Sequence, residues 1–188
     1  MLRTNLNFLS FIESLLKTDE SLNDKIVLKE FKKSSLILEQ GQKTAKIFII
    51  KEGITKCFFS EENGKDFIVE FLGEGEIIGD IEVIRKIDCL CSIEAITDIK
   101  VYQFNFSFFE SLMKENLAFN NLLVNELAER IINTSSRASF QQLFTLEHGL
   151  AKLIEFQKKQ NITISKEDMA AYLGITTRSL NRVLKTIE

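Results

Sequence analysis

The chain has no proline, a single histidine and three cysteines in 188 residues. Without proline the tight turns fall to glycine, because a turn otherwise needs a preset φ or a residue that accepts φ > 0. Three cysteines, Cys57, Cys89 and Cys91, are too few for a disulfide framework, and a reducing, cytoplasmic setting is expected. The lone His148 leaves no Ser/His/Asp or Cys/His constellation for hydrolysis. It also leaves too few ligands for a cupin-like metal enzyme, which would need several His or carboxylate groups converging in a barrel. No catalytic residue, metal or cofactor is therefore assigned. Long apolar runs are missing too. "IFII" (Ile47–Ile50) is far short of the ~20 residues that span a bilayer, so no membrane association is expected. The first twenty residues, broken by Asn, Ser and Glu13, do not read as a signal peptide.

Charge of one sign is also lacking. The net charge is −3, which argues against bulk affinity for nucleic acid. The distribution is uneven, however. Arg137 to Glu188 carries eight Lys/Arg and five Asp/Glu, net +3, which leaves −6 for residues 1–136. A local basic face counts for more in phosphate binding than the total does.

Residues 5–17 place Leu6, Leu9, Ile12, Leu15 and Leu16 at helical spacing. From about Ile26 to Phe104 short β-branched and aromatic stretches alternate with glycine turns, which predicts an all-β sandwich or roll. Asn63-Gly64 between "KCFFSE" and "DFIVEF" predicts a two-residue hairpin. From Ser107 to about Gln142 the period becomes helical. On the second, longer helix of this stretch Val124, Leu127, Ile131, Thr134 and Ala138 recur 3 and 4 apart, as on a two-helix dimer seam. Phe119, Leu122 and Leu123 mark a neighbouring face for the chain's own core. Residues 147–157 read as another amphipathic helix. The expected division is residues 1–106 as a β-roll with an N-terminal helix, 107–142 as linker and long helix, and 143–188 as a helical output domain.

The end of the chain, "ISKEDMAAYLGITTRSLNRVLKTIE", reads as two helices about a glycine turn. Ser165 and Asp168 have the spacing of a capping box. Met169, Ala170 and Leu173 face inward, Gly174 takes the left-handed turn position, and Thr176 caps the second helix. Leu180, Val183, Leu184 and Ile187 give that helix a buried side. Arg178, Ser179, Asn181, Arg182 and Lys185 remain outward, which is what a recognition helix needs in a major groove. Arg178 and Arg182 are expected nearest base edges, and Thr176, Thr177, Ser179 and Lys185 nearer phosphate.

Taken in order, "IFIIKEGITKCFFSEENGKDFIVEFLGEGEIIGD", a long seam-bearing helix and "ISKEDMAAYLGITTRSLNRVLK" resemble the Crp/Fnr family, that of the cyclic AMP receptor protein and the fumarate–nitrate reduction regulator. The resemblance covers the chain from about residue 20 onward. It implies an α+β protein: an N-terminal double-stranded β-helix or jelly roll of the cyclic-nucleotide-binding type, a long dimerisation helix, and a C-terminal helix-turn-helix of the winged type. It implies a homodimer on a two-fold site in double-stranded DNA, RNA polymerase as a further partner, and a small-molecule effector. The wing would lie past Glu188, so the sequence is either truncated before it or lacks it.

The resemblance also places the effector pocket. The phosphate cassette would start at Gly79-Asp80 and end at Cys89-Leu90-Cys91, where nucleotide-binding members carry an Arg-containing triplet. Thr134-Ser135 stand where the family's long helix meets the base. The phosphate-pairing Arg is absent on this reading, and neither Leu90 nor Cys89 can replace a charge-assisted bidentate partner. The expected effector is therefore unknown, or there is none. The alternative is a cyclic-nucleotide-responsive regulator with a non-standard cassette, in which Arg85 or Lys86 substitutes. An iron–sulfur sensor would need an N-terminal cysteine cluster, and three cysteines cannot supply four thiolates. Cys89 and Cys91, two apart, would share one face of a strand. A nucleotide-gated module acting on a protein partner would keep the cassette Arg and lack the helix-turn-helix, the reverse of what is here. The base-reading Arg-Glu pair of the cyclic AMP receptor protein falls on Thr177-Arg178, so operator sequence does not carry over.

Overall fold

The structure is a computed structural model that describes residues 2–187. A short strand β1 (Leu2–Arg3) precedes helix α1 (Leu6–Thr18). Strands β2 (Val27–Phe31), β3 (Leu36–Leu38), β4 (Lys46–Glu52), β5 (Thr55–Ser60), β6 (Asp66–Leu72) and β7 (Ile77–Ile78) follow. Then come helix α2 (Asp80–Arg85), strands β8 (Ser92–Ala95) and β9 (Ile99–Asn105), and helices α3 (Phe106–Glu115), α4 (Leu117–Leu143), α5 (Leu146–Gln160), α6 (Lys166–Leu173) and α7 (Thr177–Ile187). The strands form a five-stranded sheet, β1-β6-β5-β8-β3, and a four-stranded sheet, β2-β9-β4-β7. The expected α+β jelly roll, long helix and C-terminal helices are all present.

Strand β4 explains the roll's packing. Its four apolar residues are buried in succession, because alternate strand residues face opposite sides of a sheet and both sides are covered. Phe48 and Ile50 join Leu38, Ile93, Ile99 and Val101 between the sheets. Ile47 and Ile49 point outward against α1, α3 and the start of α4, where Phe8, Ile12, Phe109 and Phe119 complete a second core. Phe119 packs edge-on to both Phe8 and Phe109, with centroids 5.3 and 5.5 Å apart. A third core lies on the outer face of the five-stranded sheet. There Ile68 and Phe71 of β6 meet Leu153 and Phe156 of α5, Met169 of α6 and Leu180 of α7. Residues three apart can share that face because β6 is irregular. Cys57 pairs with Glu70 and Phe58 with Ile68, so Val69 is an extra residue that rotates the strand.

The β5–β6 turn differs from the expected two-residue hairpin. Five residues, 61–65, connect the strands. Gly64 alone has φ > 0, at +74°, while Asn63 accepts from the Lys65 N–H at 3.0 Å. A single left-handed residue after a tight turn suits a bulged hairpin as well as the shorter turn would. β1 is an element the periodicity did not reveal. Two residues, paired in parallel with Phe71 and Leu72 of β6, give no period to read, yet they carry Arg3 into the interior.

Candidate functional site

The C-terminal pair of helices is built largely as the sequence suggests. Ser165 caps α6, accepting from the Asp168 N–H at 2.9 Å. Gly174 closes the helix at φ +70°, a conformation with little steric cost only for glycine. The Ile175 N–H then returns to the Ala170 carbonyl at 3.0 Å. Thr176 accepts from the Ser179 N–H at 3.1 Å and so starts α7. Leu180 and Val183 are buried beneath the helix. Thr176, Thr177, Arg178, Asn181, Arg182 and Lys185 are exposed, and Ser179 is half-buried. Asn181 accepts from the Lys166 ammonium at 3.1 Å, which ties the front of α6 to the exposed face of α7. Four polar or basic side chains on one rim, Arg178, Asn181, Arg182 and Lys185, are thus presented on a buried apolar base.

The capping box is not reciprocal. The Asp168 carboxylate turns away from the Ser165 backbone and accepts from Lys56 of β5 at 2.6 Å. Glu94 of β8 lies 3.3 Å from the same ammonium. Burial works against the charge on Lys56, but Asp168 and Glu94 outweigh it and raise its pKa. Tyr172 of α6 stacks on Phe71 of β6, centroids 5.3 Å apart. The helix-turn-helix is therefore clamped to the roll by one ion-pair triad and one aromatic stack.

The region expected to hold an effector contains a feature that the sequence did not reveal. Gly79 takes a left-handed turn and opens α2, and Asp80 is buried behind it. Arg130 of α4 holds both carboxylate oxygens of Asp80, at 2.9 and 2.7 Å. Its other donors go to the Ile77 carbonyl at 2.8 Å and to Glu126 at 3.1 Å. Arg3 pairs with Glu70, Glu76 and Glu126, and the Asn5 amide donates to Glu126 at 2.6 Å. Burial opposes the charge on Arg130, but Asp80, Glu126 and Glu76 raise its pKa further. Burial pushes Glu76 up to about 8, against the pull of Arg3. Burial also opposes ionisation of Glu126, but the bond from Asn5 and the two guanidinium groups win and lower its pKa. Two guanidinium groups and four acidic side chains, Glu76 among them as the one that burial favours in its protonated form, so fill the roll's junction with α4. The signal for Arg130 was present: it stands on the long helix, one turn before Thr134, as a basic residue beside the expected seam.

The other pocket candidates do not gather there. Thr134 and Ser135 are exposed on α4, and α4 meets Asp80 through Arg130 instead. Leu90 is 44% exposed, and its N–H donates to Glu82 at 3.0 Å. Cys89 is buried between the sheets. Cys89 and Cys91 precede β8, so they do not form a same-strand pair. The Cys91 sulfur lies 2.8 Å from that of Cys57, on the neighbouring β5. That contact, followed by burial, raises the Cys57 pKa. On the long helix, Val124 and Ile131 are 59% and 67% exposed. Thr134 and Ala138 are also exposed, while Leu127 is half-buried against the N-terminal core. His148 stacks on Phe144 at the α4–α5 joint, centroids 5.1 Å apart, a packing role. No helix among the described residues is long and apolar enough to cross a membrane.

Residues 28–116, the roll with helix α3, match the family model of the cyclic nucleotide-binding domain. Relatives match over most of the chain's length. The cAMP-activated global transcriptional regulator CRP of Salmonella typhimurium is 21% identical over 170 residues, covering 85% of this chain and 81% of that protein. The regulatory protein HlyX of Actinobacillus pleuropneumoniae is 23% identical over 167 residues, covering 83% and 69%. The solved structure of the c-di-GMP-responsive global regulator CLP of Xanthomonas campestris has the same fold, with a TM-score of 0.78 at 14% identity over 92% of this chain and 91% of that one. The chain is thus similar in sequence over most of its length to the regulators CRP and HlyX, and it shares the fold of CLP.

Proposed function

We propose that the chain is a transcription regulator that binds a two-fold site in double-stranded DNA as a homodimer. The observation that carries this reading is the α7 rim, Arg178, Asn181, Arg182 and Lys185, exposed on a buried base in a chain whose named relatives are transcriptional regulators. The uncovered Val124 and Ile131 on α4 supply an apolar stripe for a second copy, and an antiparallel or parallel partner helix would bury it. The domain boundaries at about residues 106 and 142 follow from the same reading. Nothing in the interior of the junction favours a cyclic phosphate: four acidic side chains surround two guanidinium groups that already hold them. The regulator is therefore gated by an effector other than a cyclic nucleotide, or by none.

The salt dependence of binding to a random-sequence duplex tests the interface. Affinity should fall steeply as salt rises, because phosphate contacts release counterions. Lys185→Ala should reduce the slope by about 1, and Arg182→Ala should cost about 1–3 kcal/mol on a specific site. A slope that neither substitution changes would remove α7 from the interface.

A further inference from the structure

A cavity of about 730 Å³ lies at the joint of α4, α5, β6 and the α6–α7 turn. That is the size of a small-molecule site. Its walls include four aromatic rings, Phe67, Phe140, Phe144 and Tyr172; Arg137 and Lys152 are the basic groups that line it beside Arg3, and Glu70, the one acidic group, is paired with Arg3. Arg3 is already committed to three acidic side chains. Arg137 is not. Its guanidinium lies between two rings, 4.2 Å from the centroid of Tyr172 and 5.1 Å from that of Phe67. Nη2 donates to the Tyr172 carbonyl at 2.8 Å. Nε and Nη1 are buried and have no acceptor among the described residues. A buried donor without a partner is costly, more so when the group is charged. Burial accordingly lowers the Arg137 pKa. Lys152 adds a second cation, its ammonium 4.4 Å above the Phe140 ring.

We infer that this joint is a binding site for a small organic anion with a flat apolar body, an aryl carboxylate or a close analogue. One oxygen of the anion would take the idle Nη1 and the other the second proton of Nη2, the two nitrogens that share the end of the fork, and its body would lie against the aromatic rings. A carboxylate matches the planar fork of a guanidinium. The site is separate from the Asp80–Arg130 junction, and it does not compete with the proposed dimer. Asn133, Ser136, Arg137 and Phe140 form its stripe on α4. At about 100° per residue the middle of that stripe lies roughly 150° around the helix from the middle of the Val124–Ala138 seam. Its walls come from the roll, the long helix and the helix-turn-helix together. An occupant would therefore bias how the α6–α7 pair sits against β6, through its differential affinity for the two placements. That consequence rests on the DNA-binding reading; the site itself does not.

Titration of the full chain with 2-naphthoate and with its neutral counterpart 2-naphthalenemethanol, in the absence of DNA, tests the site. Naphthoate should bind saturably, one per chain, with the alcohol at least about tenfold weaker because it cannot pair with the guanidinium. Arg137→Gln should erase the difference between the two probes. Ser136→Tyr, which fills the mouth from α4 without touching the guanidinium, should abolish both and covers the case in which Arg137→Gln does not fold. No saturable binding at about 1 mM (a site weaker than roughly 4 kcal/mol) would overturn the inference. So would equal affinity for acid and alcohol, or binding unchanged by Ser136→Tyr. Because DNA is absent, failure here leaves the regulator reading standing, and failure of the α7 variants leaves this site standing.

Discussion

Replacing Arg130 by Met is the perturbation from which the most follows. The side chain keeps its length and loses its charge. In the native protein Arg130 supplies two hydrogen bonds to Asp80, one to the Ile77 carbonyl and one to Glu126. The Asp80 side chain is 3% exposed and that of Arg130 15%, so water cannot replace the lost donors. Breaking a buried pair by removing one partner costs about 3–5 kcal/mol, because the remaining charge stays buried. For a chain of this size each kcal/mol shifts Tm by about 2–4 °C, so a fall of about 6–20 °C is expected. Adding Asp80→Leu to Arg130→Met removes both charges, and most of the loss should return, since a buried pair replaced by apolar groups is often neutral. Denaturant unfolding of the wild type, the two single variants and the double variant closes the cycle. A single variant within about 1 kcal/mol of wild type, or a double variant no better than Arg130→Met, would refute the view that this pair holds α4 to the roll.

Three further outcomes follow. Glu76 keeps its proton in the folded protein up to about 8, against a usual value of 4.5. Folding therefore takes up a proton between those values, and stability should fall as pH rises through that window, by up to about 1.4 kcal/mol per unit. Glu76→Gln should flatten that decline in a series of denaturant titrations, and an equally steep decline would refute it. Ile131→Glu should shift the chain to monomer in sedimentation velocity, since it places a charge on a side chain that is 67% exposed alone and would be buried on the seam, a loss of about 1.5–3 kcal/mol from each chain's apolar burial alone. An unchanged dimer would move the seam elsewhere. Calorimetric titration with cyclic AMP and cyclic GMP should give no binding at micromolar concentration, and micromolar binding would restore the nucleotide reading.

The parts of the fold written in period were legible. The helical period of α4 and the burial of Leu180 and Val183 on α7 are properties of single elements, and local sequence carries them; Leu184 is only half-buried, and the Ile187 side chain lies outside the described residues. Capping by Ser165 and Thr176 and the turn at Gly174 were legible for the same reason. What escaped were pairings between elements far apart in the chain. Arg3 meets Glu126 across 123 residues and Lys56 meets Asp168 across 112, and no periodicity encodes either. Asp168 shows how a local rule loses to such a contact. Its spacing from Ser165 suits a capping box, but a lysine buried on β5 offers a stronger, charged partner. Arg130 was marked only by its place beside the seam, and its partner was not, since nothing local says that Asp80 is brought beneath it. The cysteines follow the sheet order. Cys89 and Cys91 are neighbours in sequence, but pairing of β5 with β8 gives Cys91 a different neighbour, Cys57.

In vitro selection by the full chain from a pool of random duplex DNA, with no small molecule added, shows whether the chain reads a two-fold site. The account predicts an enriched site with dyad symmetry, half-sites about 34–36 Å apart centre to centre, and two chains bound to each duplex. An enriched sequence without a dyad, or a single chain per site, would contradict it.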